Sequence, residues 1–346
     1  LPRGRPPRGT GEDGPPVSSG ERPSIPEEAA RVTDVLKPTI RGLVTRDAPL
    51  APFTSYRLGG AAAVLVEAWD ESDLVATAGA AARFGLPILA LGRGSNVLVS
   101  DGGYPGVVLR LGKGFDWMRE REGALEAGGA ARLPQMANWA ARRGLGGLEF
   151  AVAIPASLGG AVRMNAGAHQ SSLSEVLDWV RLYRLGEPGA TVLAAGELGL
   201  RYRSSGLDDS DLVCAARLVL EPAPREEILQ RMQRYRDHRS ATQPAEARNA
   251  GSMFKNPPAP APSAGGLIEE SGLKGHRVGG AEVSPKHANF FLAHPGARAQ
   301  DVYGLLVAVQ AAVLERTGVL LTPEVRLIGA FGEPELLASG HGRSLQ

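Results

Sequence analysis

The chain has a single cysteine, Cys214, set in the apolar run LVCAARLVL, so it can form no internal disulfide and cannot build a Cys-rich metal site. It has no run of about 18 consecutive apolar residues, and its opening stretch, LPRGRPPRGTGEDGPP, carries basic residues without an apolar h-region. Neither a membrane span nor a secretory leader is therefore expected. Net charge is also nearly absent, with 38 Lys and Arg against 37 Asp and Glu, which gives no general electrostatic reason for nucleic acid or a membrane surface as partner. Any anion must be recognised by a local site. No repeat and no Gly-x-y period occurs, so collagen falls away, and the many Gly and Pro residues exclude a coiled coil. A soluble, cytoplasmic protein of a reducing compartment is the expectation.

What is present is 346 residues, 43% of them hydrophobic, with 45 Gly and 26 Pro. That length suits two or three domains, each with a real core. Residues 1–27, rich in Pro, Gly, Arg and Glu, cannot bury enough apolar surface to offset the entropy of ordering and are expected to be a disordered tail; 332–346 are read the same way, as a flexible tail. Between them, AAAVLVEA, ESDLVATAGAAARFG and LPILALG read as strand, helix and strand, followed by many short β-rich runs and a helix from Leu133 to Arg142. This predicts an α+β first domain over 40–222. The charged segment REEILQRMQRYRDHR, with Ile228, Met232 and Tyr235 on one face, is expected to mark the passage to a smaller α/β domain over 223–331, which holds a long helix from Ala299 to Thr317. A cleft between the two is the expected ligand site.

Three segments carry chemistry. In LGRGSNVLVSDGG the small residues Gly92, Gly94 and Ser95 let backbone N–H groups approach a ligand, and Arg93 and Asn96 add donors, as a pyrophosphate cradle requires. It is neither a GxGxxG fingerprint nor a Walker loop, and a glycine-rich turn between strands is the alternative. LEFAVAIPASLGGAVRMNAGAH would let main chain lie flat against a large planar ligand, or form a tightly packed core turn; its His169 is more often a structural residue than a covalent flavin link. RNAGSMFKNP presents the Ser252 hydroxyl between Gly251 and an apolar pair, with Lys255 and Asn256 beside it. No GxSxG elbow accompanies that serine, which argues against a hydrolase.

Taken in order, TSYRLGG, GRGSNVLVSDGG, FAVAIPASLGGAVRMNAGAH, YRSS, NAGSMFKNP, AGGLIEESGLKGHRVGGAEVSPKHANFFL and PEVRLIG resemble the UDP-N-acetylenolpyruvoylglucosamine reductases, the MurB family, from about Val44 to Gly329. The resemblance implies an FAD-binding domain of the vanillyl-alcohol-oxidase (PCMH) type followed by a C-terminal substrate domain. It also implies non-covalent FAD, NADPH as co-substrate, and reduction of UDP-N-acetylglucosamine enolpyruvate to UDP-N-acetylmuramate for peptidoglycan. By the same resemblance the catalytic residues are Ser252 as proton donor, Arg203 stabilising charge, and Glu324. The cofactor contacts are Arg93, Gly94, Ser95, Asn96, Val97, Ile154, Pro155, Ser157, Gly159, Gly160, Val162, Asn165, Ala166 and Gly167. Those to the substrate are Tyr202, Lys255, Asn256 and Lys274, with no metal. About 48 residues lie between Arg203 and Ser252, which resembles the shorter subclass without a tyrosine lid loop. Two other readings are a flavin oxidase of the same fold and a nucleotide-sugar binding module without catalysis; the trio Arg203, Ser252 and Glu324 argues against the latter.

Overall fold

The computed structural model describes residues 27–244 and 248–332. The expected tails lie outside the described residues, apart from Glu27, which opens the first helix, and Gly332. That helix, α1 (Glu27–Leu36), was not expected. Its buried face, Ala29, Val32, Thr33 and Leu36, follows the i, i+3, i+4, i+7 spacing of an amphipathic helix.

The first domain carries two sheets. Four strands in the order Leu43–Pro49, Ala61–Ala68, Tyr104–Leu111, Ile88–Ala90 form one. Its first pair is antiparallel and the others parallel, as the crossover through helix α2 (Glu71–Arg83) requires. The second sheet is antiparallel, in the order Thr191–Ala194, Leu177–Arg184, Asp211–Leu218, Ala124–Gly128, Met118–Arg121. Tyr183, Leu212 and Cys214 of this sheet join Val64, Val66 and Leu109 of the first in one cluster. Burial there pushes the Cys214 thiol up to about 12, so it stays protonated and inert at neutral pH. The buried Asp73 carboxylate of α2 accepts the backbone N–H groups of Arg41, Gly42 and Trp69 at 2.9, 2.8 and 2.7 Å, tying the chain entering the first strand to the helix.

Helix α4 (Leu158–Arg163) packs on the second sheet, and α3 (Leu133–Arg142) and α5 (Arg225–Thr242) join the same core by packing on each other and on the turn Glu149–Ala153. Helix α5, the segment expected to open the second domain, buries Ile228 and Met232 in this cluster together with Leu125, Leu133 and Met136. The C-terminal core instead gathers helices α6 (Ala264–Glu270) and α7 (Ala299–Thr317) around a three-stranded sheet, Arg277–Val278, Ala281–Val283, Phe291–Ala293. Phe254 and Phe291 meet there edge to face at 6.0 Å.

Among the links that stitch the two parts together are one strand pairing and two hydrogen-bonded contacts. Strand Arg326–Ile328 pairs in parallel with Val97–Val99 of the first domain. The Tyr56 hydroxyl donates to the Phe291 carbonyl at 3.2 Å. The Asp101 carboxylate accepts the N–H groups of Ala299 and Gln300 at 2.9 and 3.0 Å, satisfying two donors that the first turn of α7 leaves open. Among the described residues no helix is long and apolar enough to cross a membrane.

Candidate active site

A cavity of about 660 Å³ opens between the first domain and the C-terminal segments, within the range of sites that take a large organic ligand. The loop Gly92–Val97 forms part of its wall. Gly94 stands at φ +61°, and a Cβ there would lie 2.1 Å from the Phe53 carbonyl oxygen, so only glycine allows this turn. A Cβ on Gly92 would meet the Ser157 hydroxyl at 2.7 Å, which brings the two glycine-rich segments directly together. The second segment is held by Leu158 N–H to Ala131 O and Gly159 N–H to Gly129 O, at 2.8 and 2.9 Å. Backbone this close, with no intervening side chains, fits a pyrophosphate and a flat ring system.

The residues expected to do chemistry converge on the same cavity. Arg201 and Ser204 bridge to make a tight hairpin, and Arg203 at its tip adopts φ +53°. The Arg203 Nε lies 3.2 Å from Glu324 Oε1, with both side chains largely buried. Ser252 bridges to Phe290; the next residue, Met253, donates to Asn289 O and accepts from Glu324 N–H, each at 2.8 Å. Ser252 and Glu324 thus sit on adjoining extended segments. The Asn96 side-chain amide donates to Glu324 O at 3.0 Å and Arg326 N–H donates to Asn96 O at 3.0 Å, so the glycine-rich loop grips the backbone of the acid. Burial pushes the Glu324 carboxyl above the ordinary carboxylate range, against the pull of Arg203 and Lys255.

Of the expected cofactor contacts, Arg93, Gly94, Ser95, Asn96, Val97, Ile154, Pro155, Ser157, Gly159, Gly160, Ala166 and Gly167 line the cavity, as do Arg203, Ser252 and Glu324. Val162 and Asn165 do not. Val162 is fully buried in the core beneath α4. Asn165 bonds Ser174 through both ends of its amide and donates to Arg201 O at 3.1 Å, so it braces the hairpin that carries Arg203.

The four expected substrate contacts also lie off the lining. Tyr202 is 58% exposed beside Arg203, with the guanidinium 5.3 Å from its ring. Lys255 contributes its charge toward Glu324, Asn256 accepts the Ala264 N–H at the start of α6 at 3.1 Å, and Lys274 lies 2.6 Å from Glu269. His169 does line the cavity, stacked on Tyr235 at 3.9 Å, and burial followed by His238 and Arg239 holds its pKa down. Residues that sequence reasoning missed include Arg110, Arg239 and Gln243. For Arg239 a signal existed: it continues the Ile228, Met232, Tyr235 face of α5 at the next helical step.

Residues 62–194 match the FAD binding domain family, and residues 243–328 match the family described as UDP-N-acetylenolpyruvoylglucosamine reductase, C-terminal domain. The chain is 43% identical over 289 residues to UDP-N-acetylenolpyruvoylglucosamine reductase 2 of Symbiobacterium thermophilum, covering 83% of this chain and 93% of that one. The chain belongs to this reductase family. A relative bearing the same enzyme name, from Acidiphilium cryptum, is 43% identical over 84% of this chain and 93% of its own. The crystal structure of the Thermus caldophilus reductase (MurB) superposes with a TM-score of 0.71 at 37% identity, covering 83% of this chain and 99% of that one. As a family member the chain is an FAD-dependent oxidoreductase, α+β in class, with its FAD-binding domain preceding the C-terminal domain.

Proposed function

We propose that the chain reduces the enolpyruvyl ether of UDP-N-acetylglucosamine enolpyruvate to the lactyl ether of UDP-N-acetylmuramate, with NADPH as donor, for peptidoglycan synthesis in the cytoplasm. The observation that carries this reading is the meeting of Arg203, Ser252 and Glu324 in the cavity walled by both glycine-rich segments. When bound there, FAD supplies hydride transfer between donor and vinyl carbon.

The chain's own residues handle the charge and the proton. As the terminal vinyl carbon gains hydride, an electron pair develops on the ether-bearing carbon and spreads into its carboxylate. The Arg203 guanidinium, held by its hairpin, faces that charge. The Ser252 hydroxyl delivers its proton to the carbon, a step open to so weak an acid only because a carbanionic centre is strongly basic. Glu324, with its pKa raised by burial, stands as the acid that protonates the carboxylate oxygen or returns the proton to serine. Residues from 243 onward form the substrate half of the cleft. A division after α5 rather than before it is supported by the burial of that helix in the first domain's core and by the extent of the C-terminal family match.

The test is an anaerobic titration of the yellow holoenzyme. NADPH should bleach the flavin, and only the enolpyruvyl UDP-sugar should restore the oxidised spectrum. Recovery in air without that sugar points to an oxidase, and a protein that cannot hold FAD points to a binding module.

A further inference from the structure

Beside the main cavity lies a second one of about 530 Å³, and the two share Arg93, Arg110 and Arg239 in their walls. Their chemistry differs. The main cavity mixes arginines with Glu67, Asp116, Asp211 and Glu324, whereas the side cavity is lined by Arg57, Arg93, Arg110 and Arg239 with no carboxylate among its described residues. Arg239 and Arg93 form no ion pair with any described carboxylate. Arg110 has Glu67 at 3.0 Å, and its guanidinium carbon stands 4.3 Å from the centre of the Phe53 ring, a cation–π contact. Two buried polar atoms in the shared wall have no hydrogen-bond partner among the described residues, Arg110 Nε and Gln243 Oε1.

We propose that this side cavity is a phosphate subsite of the cleft, in which Arg57, Arg110 and Arg239, beside the Arg93 expected at the cofactor, hold the phosphate groups of an entering nucleotide. Four guanidinium groups lining one cavity, of which Arg110 alone has a carboxylate partner among the described residues, repel one another, and a multiply charged anion relieves that repulsion while satisfying the fork geometry. Desolvation, first among the causes, holds the pKa of Arg93, Arg110 and Arg239 below the usual guanidinium range. The two unpartnered atoms narrow the ligand further. Arg110 Nε needs an acceptor, which a phosphate oxygen provides; Gln243 Oε1 needs a donor, which an ionised phosphate lacks but a ribose or sugar hydroxyl has. A nucleotide meets both needs. The inference rests on the proposed function in that its donor and acceptor are both nucleotides, and phosphate groups are the chemistry they share.

The experiment uses FAD-loaded wild type, Arg239→Gln, Arg239→Lys and Arg57→Gln, with flavin content and melting temperature recorded for each. Binding of UDP and of inorganic pyrophosphate is followed by titration, and the KM for NADPH and for NADH by anaerobic flavin reduction. The expected result is full flavin content with about tenfold weaker binding of UDP, of NADPH or of both in each Gln variant, partly restored in Arg239→Lys. Loss confined to UDP and pyrophosphate assigns the subsite to the sugar nucleotide; loss for NADPH with NADH unchanged assigns it to the donor's 2′-phosphate. Affinities all within twofold of wild type overturn the proposal, and so does loss of FAD, which would make these arginines part of the cofactor site. UDP binding needs no turnover, so wild type that binds UDP through these arginines yet is not reoxidised by the enolpyruvyl sugar sinks the proposed reaction and leaves the subsite standing.

Discussion

On the first-domain side of the cleft the wall includes main chain laid bare at Gly92, Gly94, Gly159, Gly160 and Gly167, whereas the C-terminal side contributes the side chains of Ser252 and Glu324. At two positions the glycine wall leaves no room for added atoms: a Cβ on Gly94 would lie 2.1 Å from the Phe53 carbonyl oxygen, and one on Gly167 would lie 2.4 Å from that of Ser171. The opposite wall is built on paired extended segments, whose backbone bonds persist whatever side chain replaces the serine. A change in the first wall should therefore be felt as lost structure and lost cofactor, and a change in the second as lost chemistry in an intact fold.

The sharpest trial of that contrast is Ser252→Ala. Flavin content and flavin reduction by NADPH should stay as in wild type, while reoxidation by the enolpyruvyl UDP-sugar slows by about 10²- to 10⁴-fold, the range for loss of a general acid. Near-normal reoxidation would remove serine from the mechanism. Next comes Gly94→Ala, whose strained φ and 2.1 Å contact should cost about 2–4 kcal/mol together. Calorimetry should show a melting point lower by several degrees, and the purified protein should hold less than one FAD per chain; full occupancy at the wild-type melting point would break the comparison. Asp101→Ala leaves two N–H groups of α7 without their cap and should cost about 1 kcal/mol, with flavin content unchanged.

The smallest expected effect belongs to Glu324→Gln. Burial raises the pKa of this carboxyl, so the folded protein keeps a proton that the unfolded chain has already released. The contribution is full below the ordinary carboxylate pKa and is lost as pH climbs through the raised one. Glutamine has no such loss and can still accept from Arg203 Nε. The variant's melting point should gain on wild type by a degree or so as pH rises from about 4 to neutrality, and a gap that narrows over that interval would contradict the assigned cause.

How much of this was legible in the sequence depended on what each residue's signal was. The long helix Ala299–Thr317 and the strand at Val97–Val99 were readable because their apolar periodicity is local. Helix α1 was hidden at the margin of a Pro- and Gly-rich stretch, although Ala29, Val32 and Leu36 have helical spacing. The packing of α5 could not be read from its charge, because its apolar stripe fits either core equally well. Within GRGSNVLVSDGG, the first half lines the cavity, while Asp101 in the second half caps a helix of the other domain; no pattern in the segment separates those duties. The lysines and amide nominated for the substrate carried no positional information of their own, and the arginines of the side cavity come from strand, loop and helix positions that only the fold brings together.

The parallel pairing of Arg326–Ile328 with Val97–Val99 also bears on the order in which the molecule is made. Asn96 and Glu324 are 228 positions apart, so a growing chain carries its glycine loop for most of its synthesis before the segment that completes the cleft exists. Closing so long a loop adds entropy cost and slows the approach to the finished state. Early in biogenesis the first domain can hold only half a reaction chamber, and a truncation that removes this last strand should yield a protein that folds in part yet never becomes a catalyst.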